Sequence, residues 1–198
     1  MSSRTVDDRT DAVSHLVTDP VMAELVDRHG VLAVDPATDT FERLVVAILR
    51  QQVSMAAAES MRESLFEAFE ITPERLADAD EDALRAVGLS RQKARYVRSV
   101  AEAYVENDYD AAAFRDLSDE EVTAELTTIP GVGPWTAKMF LQFCLGRPDV
   151  FPVEDLGIRR AMQDLFDPDM TRGAMRDRAE AWRPYRSVAS LYLWRHTE

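Results

Sequence analysis

The sequence predicts an all-α fold, and three observations carry that prediction. Strand-like alternation is nearly absent, apolar residues recur at helical spacing, and helix start and stop residues punctuate the whole chain. With 198 residues, 46% of them hydrophobic, the chain can bury one core or two smaller ones.

Each helix is justified by its own ends. Asp19-Pro20 opens a helix that Gly30 closes, with proline at the first position and glycine just past the last. Asp39 and Glu42 give an acid-capped start to FERLVVAILRQQ, where Phe41, Leu44, Val45 and Ile48 share a face. Ser54 is placed to cap MAAAESMRESLFEAF. Thr72-Pro73 starts a short helix, Asp80 starts another that Gly88 ends, and Ser90 caps RQKARYVRSVAEAYV. Ser118 with Glu121 forms a capping box ahead of EVTAEL. A Pro-Gly-x-Gly turn at 130–133 then launches WTAKMFLQFCL, which Gly146 stops. DVFPVED is an extended link, Asp155 starts LGIRRAMQDLF, Thr171 starts the penultimate helix, and Pro184 separates that helix from YRSVASLYLWR. The count is about ten helices with short connections and no sheet. Two lobes are expected, 41–125 in one and 1–40 with 126–198 in the other, with a cleft between them near the turn.

Charge points two ways. The chain has 36 acids against 23 bases, a formal net charge of -13, and only Lys93 and Lys138 among the bases are lysines. Acidic excess normally argues against nucleic acid. A lysine-poor, acid-rich composition also suits a halophile's cytoplasm, where at about 1 M salt the Debye length is roughly 3 Å and global repulsion hardly reaches a ligand. The halophile reading is preferred, and it makes net charge a poor guide to partners. Cys144, the only cysteine, lies in the apolar run FLQFCL and reads as a small buried residue. One cysteine cannot bind a four-cysteine iron–sulfur cluster. The N-terminal MSSRTVDDRTDAV has no signal-peptide core, and no apolar run reaches membrane-spanning length. A soluble cytoplasmic protein is expected.

The turn at 130–133 is the first candidate site. Gly131 and Gly133 allow positive φ and close approach of an anion, and the amides of Gly131, Val132 and Gly133 stand ahead of a helix N-terminus. Thr136 adds a hydroxyl donor, while Ile129 and Val132 peg the turn to the core. A bare PGxG is more often only a tight interhelical turn. Here Leu-x-x-Ile-Pro-Gly-Val-Gly-x-x-Thr-Ala gives a helix-hairpin-helix, which grips the DNA backbone without reading sequence. Such a grip needs no lysines. Asp155 is the second candidate. An Asp before a helix is usually a cap, but capping is compatible with chemistry, because amide hydrogen bonds favour the charged carboxylate. Glu154 is the neighbouring alternative.

The stretch IPGVGPWTAKMFLQFCLGRPDVFPVEDLGIRRAM resembles the helix-hairpin-helix, Gly/Pro-rich loop and aspartate of the DNA glycosylase superfamily. It is most similar to the 3-methyladenine DNA glycosylase II branch. FERLVVAILRQQVSMAAA, VGLSRQKARYVRSVAEAY and AEAWRPYRSVASLYLW agree, so the resemblance runs from about residue 12 onward. Larger bacterial relatives carry an extra N-terminal sheet domain for which this chain has no room. Bifunctional relatives have a lysine two positions after the second hairpin glycine; here that position is Trp135, so β-lyase chemistry is not expected. Lys138, nearly a turn further on, reads as a phosphate contact.

The resemblance implies a monofunctional glycosylase that removes alkylated purines such as 3-methyladenine and 7-methylguanine in base excision repair, with Asp155 as the catalytic carboxylate. Trp135 and Trp194 match the family's pocket positions, while Trp182 reads equally as core. Met139 stands where some relatives have a tyrosine. Gln52 matches the residue that fills the gap left by the flipped base, and Gln51 and Ser54 line the same region; a glutamine pair on a helix is otherwise an ordinary polar edge. The backbone carbonyls of Thr127, Ile129 and Val132 are candidate ligands for a monovalent cation, Na+ or K+; no other cofactor is implied. The implied partner is double-stranded DNA with a damaged base, met by a monomer at the nucleoid. Two rivals stand beside this: a same-fold enzyme for uracil, hypoxanthine or a mismatched base, and a non-catalytic DNA-binding module.

Overall fold

Local chemistry sets the helix ends, and every regular element in the computed structural model, which describes residues 6–197, is helical. In chain order these are α1 (Val6–Leu16), α2 (Pro20–His29), α3 (Thr40–Arg50), α4 (Met55–Ala68), α5 (Pro73–Ala77), α6 (Glu81–Ala86), α7 (Arg91–Asn107), α8 (Asp119–Leu126), α9 (Pro134–Phe143), α10 (Leu156–Leu165), α11 (Arg172–Ala179) and α12 (Arg186–Thr197), with a 3-10 turn at Glu180–Trp182. The start of the segment read for a leader lies outside the described residues.

The caps act as their sequence positions predict. Asp19, Asp39, Ser54, Thr72, Asp80, Ser90, Ser118, Asp155 and Thr171 each accept a first-turn N–H through the side chain, and Ser118 and Glu121 close the reciprocal box. Each such cap stabilises its helix by about 1 kcal/mol. Three local expectations change. Helix α1 was not anticipated. Helix α9 ends at Phe143 rather than running to Gly146. Helix α3 stops at Arg50, so Gln51 is extended and Gln52 takes a left-handed φ of 56°. The glutamine pair therefore forms a turn instead of a helical edge.

The chain divides into two units, Pro36–Leu145 and the described residues through Asp35 together with those from Gly146. This differs from the expected boundaries at 40 and 126, and it moves the hairpin into the middle unit. The reason is packing: α9 lies on α3 and α8. The Phe140 ring meets Phe114 edge-on at 5.1 Å, and the Arg43 guanidinium sits 4.7 Å over the Phe143 ring. The Ala37 amide also donates to the Phe143 carbonyl at 2.7 Å. Burial pushes the Cys144 thiol up to about 12, as suits an inert packing residue.

The other unit closes over Leu16, Leu25, Val153, Ile158, Trp182 and Tyr192. Trp182 is fully buried; its indole donates to Asp19 Oδ2 at 2.8 Å, and Arg178 pairs with the same carboxylate while lying over the indole ring. Burial alone would raise the Asp19 pKa, but the Trp182 and Arg178 donors outweigh it and hold the carboxyl below its ordinary value. Of the two readings of Trp182, core packing is the one the structure supports.

Candidate functional site

In the middle unit, the site is the corner between α8 and α9. Gly131 has φ 95°, a left-handed value that glycine adopts without strain. It could carry no side chain in any case, because a Cβ there would stand 2.3 Å from Cγ of Tyr96. The ring of Tyr96, from α7, is the floor of the hairpin, and Gln92 Nε2 donates to its hydroxyl at 2.6 Å. Ile129 and Val132 are buried pegs, as expected.

Two expectations about the donors are corrected. Val132 N–H donates to the Ile129 carbonyl at 3.0 Å and closes the turn, so it is spent internally. The N–H groups of Gly131 and Gly133 meet no acceptor among the described residues. Thr136 is 1% exposed, and its hydroxyl accepts Gln51 Nε2 at 3.1 Å; at the third position of α9 it faces inward and braces the corner. The donors left at this corner are thus the two glycine amides, ahead of the first turn of α9, whose N-terminal end favours negative charge. Trp135 and Lys138 are half-buried on that first turn and the next, and Met139 is buried at 9% exposure.

Gln51 was expected only to line the region, and its role is sharper. Its Nε2 also donates to the Gly131 carbonyl at 2.9 Å, joining the turn after α3 to the hairpin. Gln52, Val53, Ser54 and Met55 beyond it are exposed, and Ser54 Oγ caps α4 through Ala57 N–H. A signal for this meeting was present in the composition. Residues 43–58, 83–101 and 126–148 contain no Asp or Glu, and they supply Gln51, Tyr96 and the hairpin. The acidic chain leaves these three stretches, like 181–197 in the other unit, free of negative side chains.

In the other unit, Asp155 caps α10, with Oδ1 accepting Ile158 N–H at 3.0 Å. The same oxygen accepts the indole N–H of Trp194 at 2.9 Å. Gly157 makes room for this pair: a Cβ there would lie 3.1 Å from both Asp155 Oδ1 and Trp194 Cδ1. The preceding link is tied down from α12. Ser187 Oγ donates to the Arg147 carbonyl and accepts Val150 N–H, while Arg186 grips the Asp149 carboxylate at 2.7 and 3.0 Å. Phe151 and Val153 are buried, so Asp155 leaves a fixed segment. Glu154, the alternative carboxylate, turns towards Arg176 at 3.9 Å. The candidate aspartate and Trp194 are therefore brought together, and neither the indole bond nor the glycine was legible from spacing.

Known proteins resemble this chain in sequence and in fold. The family model described as HhH-GPD superfamily base excision DNA repair protein matches residues 45–186. The chain is 33% identical over 168 residues to DNA-3-methyladenine glycosylase 1 of Schizosaccharomyces pombe, covering 79% of this chain and 72% of that protein. Identity to DNA-3-methyladenine glycosylase 2 of Escherichia coli is also 33% over 168 residues, covering 79% of this chain but only 57% of that one. The chain likewise spans 58% of a Bacillus subtilis relative. Among solved structures, it resembles the S. pombe 3-methyladenine DNA glycosylase in complex with abasic DNA, with a TM-score of 0.86 and 31% identity over 93% of this chain and 95% of that one.

Proposed function

Because this chain belongs to the HhH-GPD superfamily of base excision DNA repair proteins, we propose that it hydrolyses the N-glycosidic bond of alkylated purines such as 3-methyladenine and 7-methylguanine in duplex DNA. The observation that carries the reading is the Asp155 carboxylate, oriented through one oxygen by the Ile158 amide and the Trp194 indole. A cap alone needs only the amide.

The chemistry follows from charge. An alkylated purine is cationic, so it leaves as a neutral base with the electron pair of the broken bond and needs little acid assistance. Positive charge then develops on the deoxyribose, and the Asp155 carboxylate stabilises it. Water adds at the anomeric carbon and gives up its proton. Trp135 and Trp194 offer aromatic faces that attract a cationic base by roughly 0.5–2 kcal/mol each. Eversion of the nucleotide costs a few kcal/mol, less for a damaged pair, and Gln52 fills the space left in the duplex. The glycine amides 131 and 133 and the start of α9 hold the strand, with Lys138 as a further phosphate contact. The carbonyls of Thr127, Ile129 and Val132 are candidate ligands for a monovalent cation that would supply one more charge towards a phosphate; the Ile129 carbonyl keeps a second lone pair beside its bond to Val132. Trp135 replaces the Schiff-base lysine of bifunctional relatives, so strand cleavage is not part of the activity.

The test is release of free base from duplexes carrying 3-methyladenine, 7-methylguanine, hypoxanthine, uracil or a mismatch. Asp155→Asn should lower release by about a hundredfold or more, the scale of losing a preorganised electrostatic group, while leaving DNA affinity within a few-fold. Release of uracil or hypoxanthine alone would redirect the substrate assignment. No release from any lesion would leave a DNA-binding module.

A further inference from the structure

Gln52 is one of two described non-glycine residues with positive φ, at 56°. Such a conformation persists only where its neighbours over-determine it. Here they do so from both sides. Before it, the ammonium of Lys93 reaches the Leu49 carbonyl at the end of α3, an otherwise unsatisfied helix terminus. Lys93 itself is buried, and Ser90 Oγ accepts its amide. Next to it, the Gln51 side chain leaves the turn and gives its amide group to the Gly131 carbonyl and the Thr136 hydroxyl, 80 and 85 residues further along the chain. Gly131 in turn rests on the Tyr96 ring, three residues after Lys93 on α7.

These contacts form a closed circuit: α3 end, turn, hairpin, α7, and back to the α3 end. The Gly131 peptide sits inside it. Its carbonyl is held by Gln51, and the hairpin N–H groups on either side of Val132 are those offered to the strand. A shift of the hairpin on taking up a phosphate therefore displaces Gln51, and with it the peptide that sets the direction of Gln52. Resting on the glycosylase reading, we propose that Gln51 is a positioning residue that couples capture of the DNA strand at the hairpin to insertion of the Gln52 side chain. It touches no base and no reacting atom. What it supplies is a fixed distance between the strand grip and the wedge.

The proposal separates eversion from binding, and that is how it is tested. Gln51→Met keeps the length of the side chain and removes both donated hydrogen bonds. Thr136→Val keeps the β-branched shape and removes one acceptor. Duplex affinity is read by fluorescence anisotropy, and eversion by the fluorescence of 2-aminopurine placed beside an abasic-site analogue. Gln51→Met should bind duplex within about threefold of the native protein, yet evert about tenfold less, the size of one to two hydrogen bonds. Thr136→Val should fall between. Adding Gln52→Ala should then cost Gln51→Met little more, because the two act as one unit. Eversion unchanged in Gln51→Met, or falling only in proportion to binding, overturns the coupling while leaving the glycosylase reading intact, since lesion excision is measured independently. A native protein that binds but everts and excises nothing overturns both.

Discussion

Two N–H groups meet on one oxygen of Asp155, and the room for them is made by a residue without a side chain. Gly157→Ala sets a methyl group 3.1 Å from the carboxylate oxygen and from Trp194 Cδ1, so both must give by a few tenths of an ångström. Alanine suits a helix better than glycine by about 1 kcal/mol, while a small misplacement of a catalytic group costs rate steeply. The variant should keep or slightly raise its melting temperature and lose about tenfold in kcat; unchanged kcat would show that the pair tolerates movement. Gln52 offers the converse experiment. Gln52→Gly removes a left-handed strain of about 1 kcal/mol together with the proposed wedge, so stability should rise in denaturant titration as base release falls. The sequence named Asp155, Trp194 and Gln52. It could not show that Thr136 faces inward, because a hydroxyl at the third helical position reads the same whether it meets a phosphate or a buried glutamine.

At the scale of elements, the hairpin depends on α7 beneath it. Gly131→Ala combines a backbone strain of about 1–3 kcal/mol with a clash against the Tyr96 ring. Tyr96→Ala in the same chain should relieve the clash and not the strain. Chemical denaturation should therefore show the double variant more stable than Gly131→Ala but still less stable than Tyr96→Ala alone. In the other unit, α2 and the 3-10 turn are joined through Asp19, Arg178 and Trp182. Asp19→Asn should cost about 1–3 kcal/mol, because the partly exposed Arg178 loses its anion while an amide oxygen can still accept from Trp182. The depressed folded-state pKa of Asp19 sets the sign with pH. Its contribution is complete above the ordinary value of 3.8 and is lost as pH falls below that towards the folded value. Acid unfolding of Asp19→Asn should therefore be less steep than that of the native protein. Caps and breakers made most of these elements legible, since their partners lie within three residues. The end of α3 was not legible, because Gln51 leaves the helix for acceptors on another element.

For the whole molecule, the net charge of -13 and the strand grip proposed for the backbone amides predict an unusual salt response. A basic DNA binder making six to ten phosphate contacts loses about 10³–10⁵ in affinity between 50 and 200 mM salt. This protein should lose less than about tenfold over the same range, equivalent to fewer than about two released counterions. Anisotropy titrations in KCl measure the slope directly, and a steep one would mean that arginines carry the binding. The composition gives the overall charge, but only the fold shows that three acid-free stretches supply Gln51, Tyr96 and the hairpin to one corner.

Most helix starts, the all-α class, the hairpin and the candidate aspartate were written in the sequence, because caps, turn glycines and apolar spacing act over three or four residues. The tertiary structure alone decided that the hairpin belongs with the middle helices, that Val132 and Thr136 spend their polar groups internally, and that Gln51 and Trp194 each reach a distant partner. Those bonds span 80, 85 and 39 residues. No local preference encodes them, since each forms only when packing has already brought two helices to the same place.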